Sequence, residues 1–261
     1  MKAEELKLVV KEKYGKIALD NNADNSCCSG SSCCGTGAGY TIFSEDYSGQ
    51  AGYHPESDLG LGCGIPTDFA GIKEGDHVLD LGSGAGNDCF VARAIAGETG
   101  RVTGIDFTEQ MIDKARENCR KLGYDNVDFV PGDIERMPLP DNSFDVVVSN
   151  CVLNLVPDKP KAFNEIFRVL RPGGHFCVSD VVIKGSMPEK VRKDAEMYAG
   201  CVSGASEMSD YISYIENSGF RDIRIHKQKE IVLPDALFSE FGKPDKGTGI
   251  FSITVSAHKP G

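Results

Sequence analysis

The sequence predicts an α/β fold: one open, mainly parallel sheet of seven strands with helices packed on both faces. Three observations predict it. From His77 onward, short apolar runs alternate with helix-compatible stretches, the pattern of strands joined by crossover helices. The first run ends in a glycine-rich turn, Asp80-Leu81-Gly82-Ser83-Gly84-Ala85-Gly86-Asn87-Asp88. Such a turn between strand and helix holds a small charged ligand, because glycine accepts φ > 0 and lets backbone approach where a Cβ would intrude. The second run, Arg101-Val102-Thr103-Gly104-Ile105-Asp106, ends in a carboxylate about 20 residues on, where such folds grip ribose hydroxyls.

Taken in chain order, Lys2 to Leu19 places Leu6, Val9, Val10, Tyr14, Ile17 and Ala18 at helical spacing and predicts an amphipathic helix lying on the domain. Asp20 to Gly39 is rich in Asn, Ser, Gly and Cys and reads as a patternless break. Tyr40 to Gly64 is irregular and glycine-rich, and Thr67 to Gly71 reads as one short helix before the sheet. Strands are expected at His77–Leu81, Arg101–Asp106, Val127–Pro131, Phe144–Ser149 and His175–Asp180, with helices near Asp88–Ala96, Thr108–Leu122 and Lys159–Leu170. Thr108 and Glu109 supply the N-cap and acidic first turn of the second of these helices. Arg171-Pro172-Gly173-Gly174 stops the third. After Asp180 the alternation lapses: Pro188 to Cys201 and Met208 to Ser218 read as helices. Phe220 to Leu233 and Gly249 to Lys259 read as two closing antiparallel strands.

Composition narrows the function. A formal net charge of −11 leaves no basic footprint, so no nucleic-acid partner is expected. The longest apolar runs, such as Phe144 to Val148, are far below the roughly 20 residues of a membrane helix, and the N-terminus lacks a signal peptide's apolar core. A cytoplasmic protein with no membrane partner is expected. Ten cysteines then read as thiols in a reducing compartment, not as a disulfide framework. Neither C-x-x-C pairs nor a C…H-x-x-x-H spacing occurs, so no structural zinc site is indicated.

The glycine turn departs from the dinucleotide pattern in a way that selects its ligand. Its spacing is G-x-G-x-G, with the third glycine one residue early, and Asp80 stands just before it. A carboxylate there opposes a pyrophosphate and suits an ammonium or sulfonium group. The combination resembles motif I of class I S-adenosylmethionine-dependent methyltransferases. That resemblance implies a Rossmann-like domain that binds S-adenosylmethionine, with Asp80, Gly82, Gly84 and Gly86 in the turn and Asp106, Phe107 and Met111 beside the ribose and adenine. In Gly132-Asp133-Ile134, Asp133 is placed to accept from the adenine amino group and Ile134 to pack on the ring. Asn150 ends the fourth strand, at the edge where ligands of open α/β sheets bind.

The acceptor is read from the cysteines. In methyltransferases that modify base amino groups, the fourth strand ends in Asn or Asp, two prolines and an aromatic. Here it reads Asn150-Cys151-Val152-Leu153-Asn154-Leu155, with a thiol where the acceptor belongs. Cys201 lies in Ala199-Gly200-Cys201-Val202-Ser203-Gly204-Ala205, and Cys63 lies among glycines in Leu61-Gly62-Cys63-Gly64-Ile65-Pro66-Thr67. With Ser32-Cys33-Cys34-Gly35, Val78 to Gly86 and Gly104-Ile105-Asp106-Phe107-Thr108, these stretches resemble the arsenite S-adenosylmethionine methyltransferase family over nearly the whole chain. Three departures stand out: the family commonly has Asn at the position of Ile65 and Met at that of Phe107, and this chain carries an extra pair, Cys27-Cys28.

The resemblance implies that Cys63, Cys151 and Cys201 hold As(III), with Cys33 or Cys34 joining them or forming a disulfide with Cys63. As(III) is a soft centre that prefers thiolates, and three sulfur ligands leave its lone pair directed away from the As–S bonds, toward the cofactor's methyl group. No general base is needed, since arsenic has no proton to lose. Catalysis then rests on positioning, which supplies roughly 7–11 kcal/mol in favourable cases. The same resemblance implies arsenite or its thiol conjugates as substrate, a thiol reductant (glutathione or thioredoxin) as co-substrate, thioredoxin as a partner, and a monomer. It divides the chain into a thiol-bearing extension (1–64), a cofactor domain (65–183) and a substrate-binding segment with closing strands (184–261). Cys89, Cys119 and Cys177 read as core filling. Two other functions compete: a metalloid sensor or sequestering protein, which would not consume S-adenosylmethionine, and a pyrimidine methyltransferase using Cys151 as covalent nucleophile, against which stand the acidic charge and the lack of a Pro-Cys dipeptide.

Overall fold

The computed structural model describes residues 3–19, 45–185, 204–231 and 249–261. Helix α1 (Ala3–Leu19) is followed by an irregular stretch with two short 3₁₀ turns, Pro55–Ser57 and Pro66–Asp68. The sheet begins with β1 (His77–Leu81), followed by α2 (Asn87–Ala96), β2 (Arg101–Asp106), α3 (Glu109–Leu122), β3 (Val127–Pro131), β4 (Phe144–Asn150) and α4 (Lys159–Val169). It closes with β5 (Leu170–Lys184), β6 (Ser206–Glu207), α5 (Met208–Asn217), β7 (Arg221–Ile231) and β8 (Gly249–His258). The expected helix from Pro188 to Cys201, and with it Cys201, lies outside the described residues, as do Cys27, Cys28, Cys33 and Cys34.

The strands form one sheet in the order β3-β2-β1-β4-β5-β8-β7, with β6 added beside β5. β1 to β5 pair in parallel, and β8 runs antiparallel to both β5 and β7. The seven-strand expectation therefore holds, with the two-residue β6 as an eighth. β6 pairs with Val182 and Ile183, just beyond the point where β4 ends opposite Ser179.

Successive side chains of a strand point to opposite faces, and the core divides accordingly. Val78, Val146, Val148 and Cys177 pack with Phe90 and Ala92 of α2 and Ile112 and Ala115 of α3. Leu79, Leu81, Val147 and Phe176 pack with Phe163 and Ile166 of α4 and Tyr211 and Ile215 of α5 on the other face. Burial on both faces explains why β1 reads as a nearly continuous apolar run.

Three local expectations change. Pro172, Gly173 and Gly174 lie inside β5, where the register slips between Phe144 and Val146 of β4; the helix has already ended at Val169. β5 also outruns its expected end at Asp180, because β8 pairs with it as far as Lys184. At the start of α3, Thr108 makes no side-chain cap; instead the Asp106 carboxylate accepts from the Thr108 N–H at 2.8 Å.

Candidate functional site

The strand order reverses direction between β1 and β4, and in open α/β sheets that switch point is where ligands bind. A cavity opens there, at the C-terminal ends of β1, β2 and β4. Of the residues expected to meet the cofactor, Asp80, Gly82, Gly84, Asp106, Phe107, Met111, Asp133, Ile134 and Asn150 all line it. Gly86 does not. It adopts φ 98° at the head of α2, and a Cβ there would fall 2.8 Å from the Phe90 ring, so this glycine allows the helix to pack behind the turn. Gly82 has φ 65°, and a Cβ on it would run into Val152, whereas Gly84 at φ 52° has no neighbour within 4 Å among the described residues.

Three carboxylates stand at the turn. Asp80 is only 2% exposed, and burial together with the neighbouring carboxylates of Asp88 and Asp106 pushes its pKa well up. Its polar partner is Cys89, whose Sγ lies 3.2 Å from Oδ2; this thiol, expected to be filler, satisfies a buried acid. Burial raises Asp88 to about 6, although Tyr47 and Asn150 donate to it. Burial also raises Asp106, which accepts from the N–H groups of Gly84 (3.1 Å) and Thr108. A cluster of acids at odds with its own burial suits a cationic ligand. With the open face of Gly84 and the remaining lone pairs of Asp106, this donor and acceptor set fits S-adenosylmethionine.

Helix α1 forms another part of the wall. Lys7, Val10 and Tyr14 line the cavity, and Lys7 Nζ pairs with Asp133 at 2.6 Å and with Glu135 at 2.5 Å. Asp133, expected at the adenine amino group, is thus shared with a lysine from the N-terminal helix.

The cysteine side adjoins the cavity. Cys151, 3% exposed, lines it directly. Cys63 lies behind Gly62, and both cysteines belong to one buried cluster with Val181, Ile183, Ala205 and Ile250. Ala205 returns the chain to this cluster just after the segment that carries Cys201. Cys151 has φ 59°, a left-handed conformation uncommon for a residue with a side chain and typical of functional positions. Its N–H donates to Ser179 O at 2.7 Å. The peptide groups of Cys63 are clamped at both ends: its N–H donates to Asn150 Oδ1 (3.0 Å), and its carbonyl accepts from Ser252 Oγ (2.6 Å).

Several site residues carry no sequence signal. Tyr47, in the irregular stretch before the sheet, donates to Asp88 at 2.8 Å and accepts from Asn150 at 2.7 Å. Asp180, 1% exposed, accepts from Tyr211 at 2.8 Å, and burial raises it to about 6. Lys159 donates to the carbonyls of Asn154 (3.1 Å) and Val156 (3.0 Å), and burial lowers it to about 8. This group braces the loop after Cys151. The sulfurs of Cys63 and Cys151 lie within electrostatic reach of the Tyr211 phenol, whose pKa burial and Asp180 drive well up.

Comparison with known proteins agrees with this geometry. A family profile described as methyltransferase domain matches residues 72–232. An arsenite methyltransferase of Halobacterium salinarum is 39% identical over 98% of this chain and 67% of its own length. The human arsenite methyltransferase is 36% identical over 68% of this chain and 52% of its own. The crystal structure of an arsenic(III) S-adenosylmethionine methyltransferase from Chlamydomonas reinhardtii superposes with a TM-score of 0.68 at 40% identity, covering 76% of this chain and 68% of that one. The chain thus spans about two thirds of the archaeal and algal relatives and about half of the human one.

Proposed function

The chain belongs to the methyltransferase-domain family and, within it, to the arsenite methyltransferases, and from that premise we propose that it transfers methyl groups from S-adenosylmethionine to trivalent arsenic held by cysteine thiolates. The observation that carries the proposal is Cys151: a buried cysteine in a left-handed backbone conformation, on the wall of the cavity that holds the acidic glycine turn, and clustered with Cys63.

S-adenosylmethionine supplies an electrophilic methyl group on a sulfonium centre. The chain's own residues do the rest. Asp80 and Asp88 offer negative charge at the turn, Asp106 accepts from ribose hydroxyls, Met111 and Ile134 give apolar packing for the base, and Gly84 leaves room for the backbone to approach. Cys63 and Cys151 supply two sulfurs at the acceptor side, and Cys201 the third. Cys33 and Cys34 serve in capture of the metalloid or in disulfide exchange with Cys63. A thiol reductant, glutathione or thioredoxin, resets these sulfurs. The enzyme acts as a monomer in the cytoplasm; among the described residues no helix is long and apolar enough to cross a membrane. The division into 1–64, 65–183 and 184–261 follows function: the first part covers the cavity with α1, and the last returns at Ala205 to the cysteine cluster.

The test is the arsenic speciation of the purified protein given arsenite, labelled S-adenosylmethionine and a thiol reductant. Labelled methylarsenicals are expected. Arsenite binding without consumption of S-adenosylmethionine would identify a sensor and overturn the proposal.

A further inference from the structure

We propose that Asn150 is a positioning residue for Cys63: its side-chain amide fixes the Cys63–Gly64 segment and ties it to the cofactor wall through Tyr47 and Asp88. The sequence alone gives Asn150 as a cofactor ligand, but its amide hydrogens and one lone pair of its Oδ1 are engaged inside the protein. The orientation of the amide follows from its partners. A backbone N–H only donates, so the atom 3.0 Å from Cys63 N is Oδ1; a carbonyl only accepts, so the atom 2.8 Å from Gly64 O is Nδ2. The two hydrogens of Nδ2 are then shared among Gly64 O, Tyr47 Oη at 2.7 Å and Asp88 Oδ2 at 3.2 Å.

Packing enforces the same contact. A Cβ on Gly62 would fall 2.5 Å from Asn150 Nδ2, so the loop lies against the amide closely enough to require glycine. Asn150 is also bonded through its own backbone to Cys151. One residue thus sets two sulfurs: it holds Cys63, 87 residues upstream, by its side chain and launches Cys151 by its main chain. An ion bound by several sulfurs needs their separation fixed before it arrives, as metal sites do when outer residues orient the ligands. The inference rests on the arsenite-binding reading of Cys63 and Cys151.

The experiment is arsenic K-edge X-ray absorption of the full chain with one equivalent of arsenite, counting sulfurs per arsenic, alongside calorimetric titration with arsenite and with S-adenosylhomocysteine. Asn150→Ala is expected to show one sulfur fewer than the unmodified chain and arsenite affinity about tenfold weaker, the order of one buried hydrogen-bonded pair. Because Asn150 lines the cavity and donates to Asp88, the S-adenosylhomocysteine titration serves only to show that the cavity is still formed. An unchanged sulfur number and arsenite affinity would overturn the proposal, whatever happens to the cofactor. If Asn150→Ala fails to melt cooperatively, Tyr47→Phe decides: arsenite affinity about threefold weaker supports the tie, and unchanged affinity overturns it. An unmodified chain that binds arsenite through no sulfur would overturn the arsenite reading and this inference with it, whereas sulfur binding that Asn150→Ala leaves intact overturns this inference alone.

Discussion

The two sides of the cavity are assembled differently. The cofactor side is local: β1, the turn from Asp80 to Asp88 and α2 are consecutive, and Asp106 joins them from the neighbouring strand, its carboxylate 3.1 Å from Gly84 N. The cysteine side is gathered from afar. Cys63 comes from a loop before the sheet, Cys151 from the end of β4, Ser252 from β8 and Ala205 from the chain re-entering beside β6. A ligand site built on one strand–turn–helix unit inherits its geometry from local backbone preferences. A site gathered from scattered residues must import rigidity, and here Asn150, Ser179 and Ser252 hold backbone groups of Cys63 and Cys151.

The contrast explains what the sequence reveals. The glycine spacing, Asp80 and Asp106 are legible because each sits at a fixed offset from a strand end, and the strand ends follow from apolar runs that are buried on both faces. The strand bounds of β1, β2 and β3 coincide with expectation for the same reason. Tyr47 and Ser252 leave no trace in the sequence, since only the tertiary fold brings them to Asn150 and Cys63. Lys159 and Asp180 are similar: a lysine opening a helix and an acid in a strand look like solvated residues until the structure shows them buried around the loop after Cys151. Asp88 was within reach, as a second acid at the end of the glycine turn, but its link to the cysteine side through Tyr47 and Asn150 was not.

If the two sides are separate devices, changes on one should spare the other. The largest effect is expected from Asp106→Ala, which removes the carboxylate proposed to accept from ribose hydroxyls and frees the Gly84 and Thr108 N–H groups. Two charge-assisted hydrogen bonds give about a 100-fold loss in S-adenosylhomocysteine affinity, read by calorimetry, with arsenite affinity retained. Parallel loss of both affinities would dissolve the distinction.

Next in size is a pair of glycine substitutions. Gly82→Ala carries both a left-handed φ and a collision with Val152, for about 2 kcal/mol of destabilisation in urea unfolding. Gly84→Ala carries the left-handed φ alone and should cost about 1 kcal/mol. Equal costs would show that Val152 yields and that the turn does not press on the loop after Cys151.

The smallest effect is with pH. Asp88, raised to about 6 by burial, is largely protonated at about pH 5 and largely ionised at about pH 7. Ionisation favours a sulfonium over a neutral thioether, so the affinity ratio of S-adenosylmethionine to S-adenosylhomocysteine should rise severalfold, about three- to tenfold, over that interval. Asp80, also raised by burial and by the neighbouring carboxylates, lies beside it at the turn. A flat ratio would mean that these acids do not sense the sulfonium.

The most direct measurement is calorimetric titration of the double variant Cys63→Ser, Cys151→Ser with S-adenosylmethionine, run beside an assay for methylated arsenic. Cofactor affinity within about twofold of the unmodified chain, together with no methylated arsenic, is the expected result. Methyl transfer to arsenic that survives without either sulfur, or cofactor binding that disappears with them, would contradict a cavity in which one side holds the cofactor and the other the arsenic.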